Sequence, residues 1–356
     1  MGKDYTVKSL AGFIKIIHEM EQKKTSLSIC EEYINNIDNL KKHYEKAIPN
    51  QRNLKYNTET LGELIKFYDK MIDSYNDIIS HNSSNKKITP NYRFYYRGHY
   101  DKDKYTLVPS VFRGKNWAKE DYYYHEMIVR CANQFQNSTH LDRLVRMQHY
   151  GCPTRLMDIT SNPLVALYFA CENFGCEKCN HSNAGEVIIF AVQDKQISYF
   201  DSDKALMLSC LAKFNKSEKM SILDQVKPHI QEFSKNANNT MYDDENIEKL
   251  YHEISTEVPS FKRQIFPNDL ITPIFIQPEK TNDRIVKQDG AFILSGLSRN
   301  EIQSRAKLEA LCYKKITIQN KSRIKRELEA LGINKATLFP EVDMVAEYLK
   351  ECVQRA

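Results

Sequence analysis

"MQHYGCPTRLMDITSNPLVALYFAC", residues 147–171, carries several elements in one run. Its first part ends the helical pattern of "HLDRLVRMQHYG", which Gly151 and Pro153 stop. "MDITSNP" reads as a strand and a turn. Asn162-Pro163 then opens the helix "PLVALYFACENF", with proline at the first position, where a missing N–H costs nothing. The run also gathers Gln148, His149, Tyr150, Gly151, Thr154, Arg155, Asp158, Thr160, Ser161 and Asn162. A helix cap needs one such residue, and this block supplies many more. Backbone donors at the helix N-terminus would favour an anion such as a phosphate. The alternative is local: Ser161 or Asn162 caps the helix, Asp158 pairs with Arg155, and Thr154 orders the turn.

Upstream, "YRFYYRG" is aromatic and strand-like, and it ends in Arg97-Gly98. Tyr95 and Tyr96 alternate there, so one of them should face the core. "LVPSVFR" follows and brings Arg113 into the same unit. Nearer the start, "KSLAGFIKIIHEM" places Leu10, Phe13, Ile14 and Ile17 on one helical face, with Ser9 as its cap. "ICEEYINNIDNLKKHYEKAI" and "TLGELIKFYDKMIDSYNDII" repeat apolar residues at helical spacing, which predicts an antiparallel helical hairpin. Downstream, "GEVIIFAV", "ITPIFIQP", "GAFILSG" and "KKITIQ" are strand candidates. "KALMLSCLAKF", "NIEKLYHEIS" and "KSRIKRELEAL" are helix candidates. The expected class is α+β: a mixed, mainly antiparallel sheet surrounded by helices, with an N-terminal helical-hairpin insertion.

The 356 residues allow one large domain with insertions, or two. Hydrophobic residues at 41% and charged residues at 27% are ordinary for a globular chain. A net charge of +5 without a dense basic stripe permits an anionic ligand and does not point to nucleic acid. No apolar run approaches the roughly 18 residues that span a bilayer, and the N-terminus lacks a signal-peptide pattern. The nine cysteines are scattered, so a reducing, cytoplasmic setting with buried thiols is expected. Cys171, Cys176, Cys179 and His181 have partial zinc-knuckle spacing, but a cysteine-bearing loop is the favoured reading, with no metal assigned.

Ordered segments along the chain resemble the FRG domain family, whose signature is an aromatic residue followed by Arg-Gly. They are "KSLAGFIKII", "YYRG" with "LVPSVFR", the 147–171 run, "EKLYHEISTEVPSFKRQIFPNDL", "NDRIVKQDGAFILSG" and "ALGINKATLFPEVDMVAEYL". The resemblance assigns residues 6–22 and 90–350 to that domain and 23–89 to the helical insertion. This chain has His99 where the family has glutamine, and Cys152 where it has leucine. The family's bacterial and phage setting, beside mobile or defence genes, implies a defence or toxin-type effector. A phage-derived trigger would then be a partner.

The order of elements is also similar, at the level of pattern, to the ADP-ribosyltransferase superfamily. An early strand ends in Arg97, a strand–turn–helix carries hydroxyls, and a late strand has Gln288 at its entry. That analogy implies NAD as substrate and a protein or nucleic-acid acceptor. Arg97, beside Gly98, would hold phosphate, with Gln148, Thr154, Arg155 and Asp158 around it. Thr160 and Ser161 would shape the ribose and nicotinamide pocket, and Tyr95 or Tyr150 would stack on a ring. Gln288 or Glu253 would steady the ribose hydroxyl, and His149 would bond a ribose or act as a base. Bland roles stand beside these: a turn for Gln288, a surface ion pair for Glu253, a satisfied buried ring for His149. Arg284 is a further anion ligand, or a partner of Asp158 or Asp289. The alternative function is a sensor or adaptor that binds a nucleotide, nucleic acid or phage protein without turnover.

Overall fold

The computed structural model describes residues 5–24, 26–46, 58–83, 91–172, 183–229, 245–262 and 265–355. Its strands are β1 (Tyr5–Val7), β2 (Tyr92–His99), β3 (Leu156–Thr160), β4 (Gly185–Gln193), β5 (Ile197–Tyr199), β6 (Ile274–Gln277), β7 (Gly290–Leu294) and β8 (Lys314–Ile318). They form one sheet in the order β1-β8-β4-β2-β3-β7-β6-β5. The ladders are antiparallel except at the two edges, where β1 runs parallel to β8 and β5 parallel to β6. The fold is thus α+β, with helices around a mainly antiparallel sheet. The short edge strands β1 and β5 had no reading from sequence, because three residues carry too little periodicity.

Period-two alternation sorts the central strands between two faces. Tyr92, Phe94 and Tyr96 of β2 join Val187, Ile189 and Ala191 of β4 in one core. Tyr95, Ile188, Phe190 and Val192 enter another with Met157, Ile159 and Ile293. Tyr95 and Tyr96 are therefore both buried, one toward each face. On the face of Tyr96, a further core forms over Leu156, Phe292, Leu294 and Ile276. Between these two cores that face carries Gly98, Asp158, Thr160 and Gly290 instead of apolar side chains. That missing packing is where a cleft opens.

The hairpin helices Ser28–Glu45 and Thr58–Ser83 run antiparallel: Tyr33 stacks on Tyr75 at 5.0 Å while Tyr44 meets Tyr68 at 6.0 Å. They share the core of β2 and β4. Tyr33 Oη donates to the carbonyls of Ala191 (3.1 Å) and Leu311 (2.9 Å), and Tyr68 Oη donates to Ala306 O (3.1 Å).

Gly98 faces the helix Pro163–Cys171. A Cβ there would lie 2.0 Å from Ala166 O and 2.7 Å from Ala170 N. Both obstacles are backbone, so neither can swing aside. Gly98→Ala is expected to cost about 3 kcal/mol or more through overpacking, read as a lowered urea midpoint with an unchanged slope. A wild-type midpoint would show that the helix can retreat and that Gly98 does not set this approach.

Candidate functional site

β2 and β3 meet at a single register pair, Tyr96↔Thr160. β2 and β4, by contrast, pair from Tyr92↔Gln193 to His99↔Glu186. Beyond Tyr96 the two strands part. The resulting cleft, about 250 Å³, lies between the helix Pro163–Cys171 and the helix His140–His149. Val165, Ala166 and Phe169 line one wall, and Gln148 and His149 line another. Arg284 and Gln288 close a third side. By alternation Arg97 and His99 start on the opposite face of β2 from Gly98. They reach the cleft through the opening.

Arg97 spans the gap between the strands. Its Nη1 donates to the main-chain carbonyl of Asp158, and its Nε donates to His99 Nε2 at 3.1 Å. Burial draws its pKa down to about 10, against the pull of the nearby Asp158 carboxylate. The side chain stays cationic at neutral pH. The Asp158 carboxylate accepts from Gln148 Nε2 at 2.9 Å, and Gln148 Oε1 in turn accepts from the Thr154 hydroxyl. Thr154 is tied to the "LVPSVFR" segment: its N–H donates to Ser110 Oγ (3.1 Å), and its carbonyl accepts from Val111 N (3.1 Å). This relay orients Asp158, and it accounts for several polar residues of the 147–171 run at once. Arg113 bonds the carbonyl of Val108 in its own loop, with Nη2 at 3.0 Å. Burial sets its pKa below the usual arginine value, against the opposing pull of Tyr105 and Glu301.

Arg284 stands over the ring of Phe339, 4.4 Å from its centroid. Among the described residues no carboxylate pairs with it. The expectation of a partner in Asp158 or Asp289 is corrected: Asp158 takes Gln148, and Asp289 Oδ2 takes Asn162 Nδ2 at 3.3 Å. His149 Nε2 lies 3.5 Å from Glu341 Oε1, and burial followed by Arg284 holds its pKa below 6.5. Its neutral imidazole can accept a proton. Gln288 Nε2 donates to Leu338 O at 3.0 Å, so half of its amide is used in holding the turn.

Other residues named from the sequence stand away from the cleft. Arg155 does not pair with Asp158. It is 1% exposed and makes a two-pronged ion pair with Glu120 (Nε–Oε1 2.8 Å, Nη2–Oε2 2.6 Å), which Lys219 joins at 2.6 Å. It starts one residue before β3, where the chain turns toward the helix Glu120–Arg130. Glu253 pairs with Lys213 on the outer side of the core around Ile254. Tyr150 is 64% exposed and meets the edge of His149. Ser161 Oγ bonds Asp289 O, and Asn162 Oδ1 caps the helix by accepting from Leu164 N at 3.0 Å. Thr160 lines the cleft but spends its hydroxyl on Gln288 O (2.6 Å) and Asn162 N (2.9 Å). The helix N-terminus is thus capped internally, not left open for an anion. Sequence reasoning missed Tyr105 and Phe169 as lining residues. The spacing of Val165, Ala166 and Phe169 along one helical face was the available signal for the second.

Cys171 is buried at the end of its helix, with its pKa pushed up to about 12 by burial. Cys176, Cys179 and His181 lie outside the described residues. Among the described residues no cluster of His, Cys, Asp or Glu is arranged to hold a metal, and no helix is long and apolar enough to cross a membrane.

A sheet split at its centre, with an arginine in the split and a strand–turn–helix beside it, is the frame of the site. Residues 92–178 match the FRG domain, so the chain carries an FRG domain that contributes β2, the "LVPSVFR" segment, β3 and the helix Pro163–Cys171. No curated protein and no solved structure matches the chain.

Proposed function

We propose that the cleft between β2 and β3 binds a nucleotide of the NAD class and promotes release of its nicotinamide, with water or an acceptor group taking the ADP-ribose. The observation that carries this reading is the presence of two guanidinium groups, Arg97 and Arg284, on one cleft. Asp158 is the carboxylate held among them by Gln148. A volume of about 250 Å³ is at the low end for ligand pockets, so it suits one nucleoside end with its phosphate. The rest of a dinucleotide would extend over the open rim. Loss of nicotinamide leaves positive charge on the ribose carbon, which the Asp158 carboxylate would offset electrostatically. His149, neutral at working pH, would take the proton from the attacking hydroxyl. A bacterial defence or toxin role fits such chemistry, since NAD loss halts the host cell.

A second reading has its own support. Glu253 pairs with Lys213 away from the cleft, so of the two late groups, Gln288 and Glu253, only Gln288 lines it, and its Nε2 is engaged with Leu338. A sensor that binds the nucleotide without turnover needs neither group. Incubation of the purified protein with NAD, followed by assay of nicotinamide and of label transfer to cell extract, separates the two. Nicotinamide release supports the enzyme. Tight NAD binding by native mass spectrometry without release supports the sensor, and no binding at all removes both.

A further inference from the structure

His99 is 3% exposed and lies on the cleft floor. Its Nε2 accepts the Nε–H of Arg97 at 3.1 Å. A guanidinium has donors only, so Nε2 must be the bare nitrogen of the ring. A neutral imidazole carries one proton, and that proton is then on Nδ1. Burial first, then the cations Arg97, Arg113 and Lys315, keep the ring neutral. Tyr105 stacks on it at 5.7 Å with the planes 28° apart, which restricts its rotation. Nδ1 has no hydrogen-bond partner among the described residues. Asp158, whose carboxylate acts on the Arg97 charge, already accepts from Gln148. Arg97 bonds through Nε and Nη1, and no bond of its Nη2 to another described residue is seen.

We infer that His99 is a specificity-determining residue whose fixed Nδ1–H, together with the Nη2 edge of Arg97, receives an oxyanion of the bound ligand. A cation or metal is excluded by two donors and a positive charge, and an apolar group would leave a buried donor unmade. The chemistry therefore selects a phosphoryl or carboxylate oxygen at this point of the cleft. His99 acts at once as acceptor for Arg97 and as donor to the ligand, so it also sets the direction of the guanidinium fork. The inference concerns the site proposed above to hold a nucleotide, and it rests on that reading only for which oxyanion is bound.

The test is imidazole ¹⁵N NMR on the full chain, titrated separately with ADP-ribose and with inorganic pyrophosphate, beside calorimetry of His99→Gln and His99→Phe. The expected result is a proton on Nδ1, a bare Nε2, and an Nδ1–H signal that moves with either probe. Glutamine supplies both an acceptor for Arg97 and an N–H donor, so H99Q should bind within about threefold of wild type. Phenylalanine keeps the ring and removes both functions, so H99F should bind about tenfold or more weakly. A proton on Nε2, a bound probe that leaves Nδ1 unmoved, or wild-type binding by H99F overturns the inference. Pyrophosphate that moves Nδ1 while ADP-ribose does not bind overturns the nucleotide reading and leaves His99 in its role. If neither probe binds, both are overturned.

Discussion

Arg155→Ala is expected to cost about 3–5 kcal/mol of folding stability, a large share of the roughly 5–15 kcal/mol that holds a typical domain together. Arg155, Glu120 and Lys219 are each nearly inaccessible to water. Three charges were desolvated to build this cluster, and their mutual attraction offsets that cost only while the set is complete. Removing the guanidinium frees the Ser295 carbonyl and leaves Glu120 with Lys219 alone. Urea denaturation of the variant at neutral pH measures the loss. A shift under 1 kcal/mol would mean that water enters and replaces the guanidinium. The same cluster gives an acid-side signature. Burial pushes the Glu120 carboxyl up, but Arg155 and Lys219 together push it further down, to below its ordinary 4.5. A carboxyl held below its unfolded value stabilises the fold above that value, and the contribution is lost as pH falls through the folded pKa. Wild-type stability should therefore fall as pH is lowered below about 4.5, and Glu120→Gln should be flatter in that window though weaker at neutral pH. Equal slopes for the two proteins would show that other carboxyls govern acid unfolding.

Arg97→Ala is expected to weaken nucleotide binding by about 10- to 100-fold, the effect of losing charge-assisted bonds to a phosphate. The fold should survive. Arg97 gives up one exposed bond to the Asp158 carbonyl and one part-buried bond to His99, for about 1–3 kcal/mol in total. Arg97→Lys should restore little, because a point ammonium cannot bridge Asp158 O, His99 Nε2 and a ligand in one plane. Calorimetry with ADP-ribose, paired with a thermal melt, gives both quantities. If binding is unchanged while the melt collapses, Arg97 serves to staple β2 to β3 and the cleft has no anion site at that position. Should NAD turnover prove measurable, the same variant should abolish it.

Much of the molecule was legible in the sequence. The strands Tyr92–His99, Gly185–Gln193 and Gly290–Leu294 could be read from aromatic and β-branched runs, and the helix start at Asn162-Pro163 from proline's missing N–H. These signals are local, set by backbone sterics and by alternation along a few residues. The pairing of polar side chains was not legible. Arg155 was expected at the ligand site, with Asp158 three residues on as the alternative partner, yet it pairs with Glu120, 35 positions away, which Lys219 also joins from 99 positions further along. Glu253 and Gln288 looked like equivalent late polar groups, and only one of them lines the cleft.

The sequence by itself determined the α+β class, the order of elements around residues 147–171, and Arg97-Gly98 at the end of its strand, because short-range sterics and periodicity act within each element. Only the tertiary structure decided that β2 and β3 part after Tyr96, that Arg97 bridges the opening, and that His99 Nδ1 is buried without a hydrogen-bond partner among the described residues. Those outcomes depend on which distant chains occupy each face of the sheet. Burial and hydrogen-bond partners are properties of that assembly, and no local pattern encodes them.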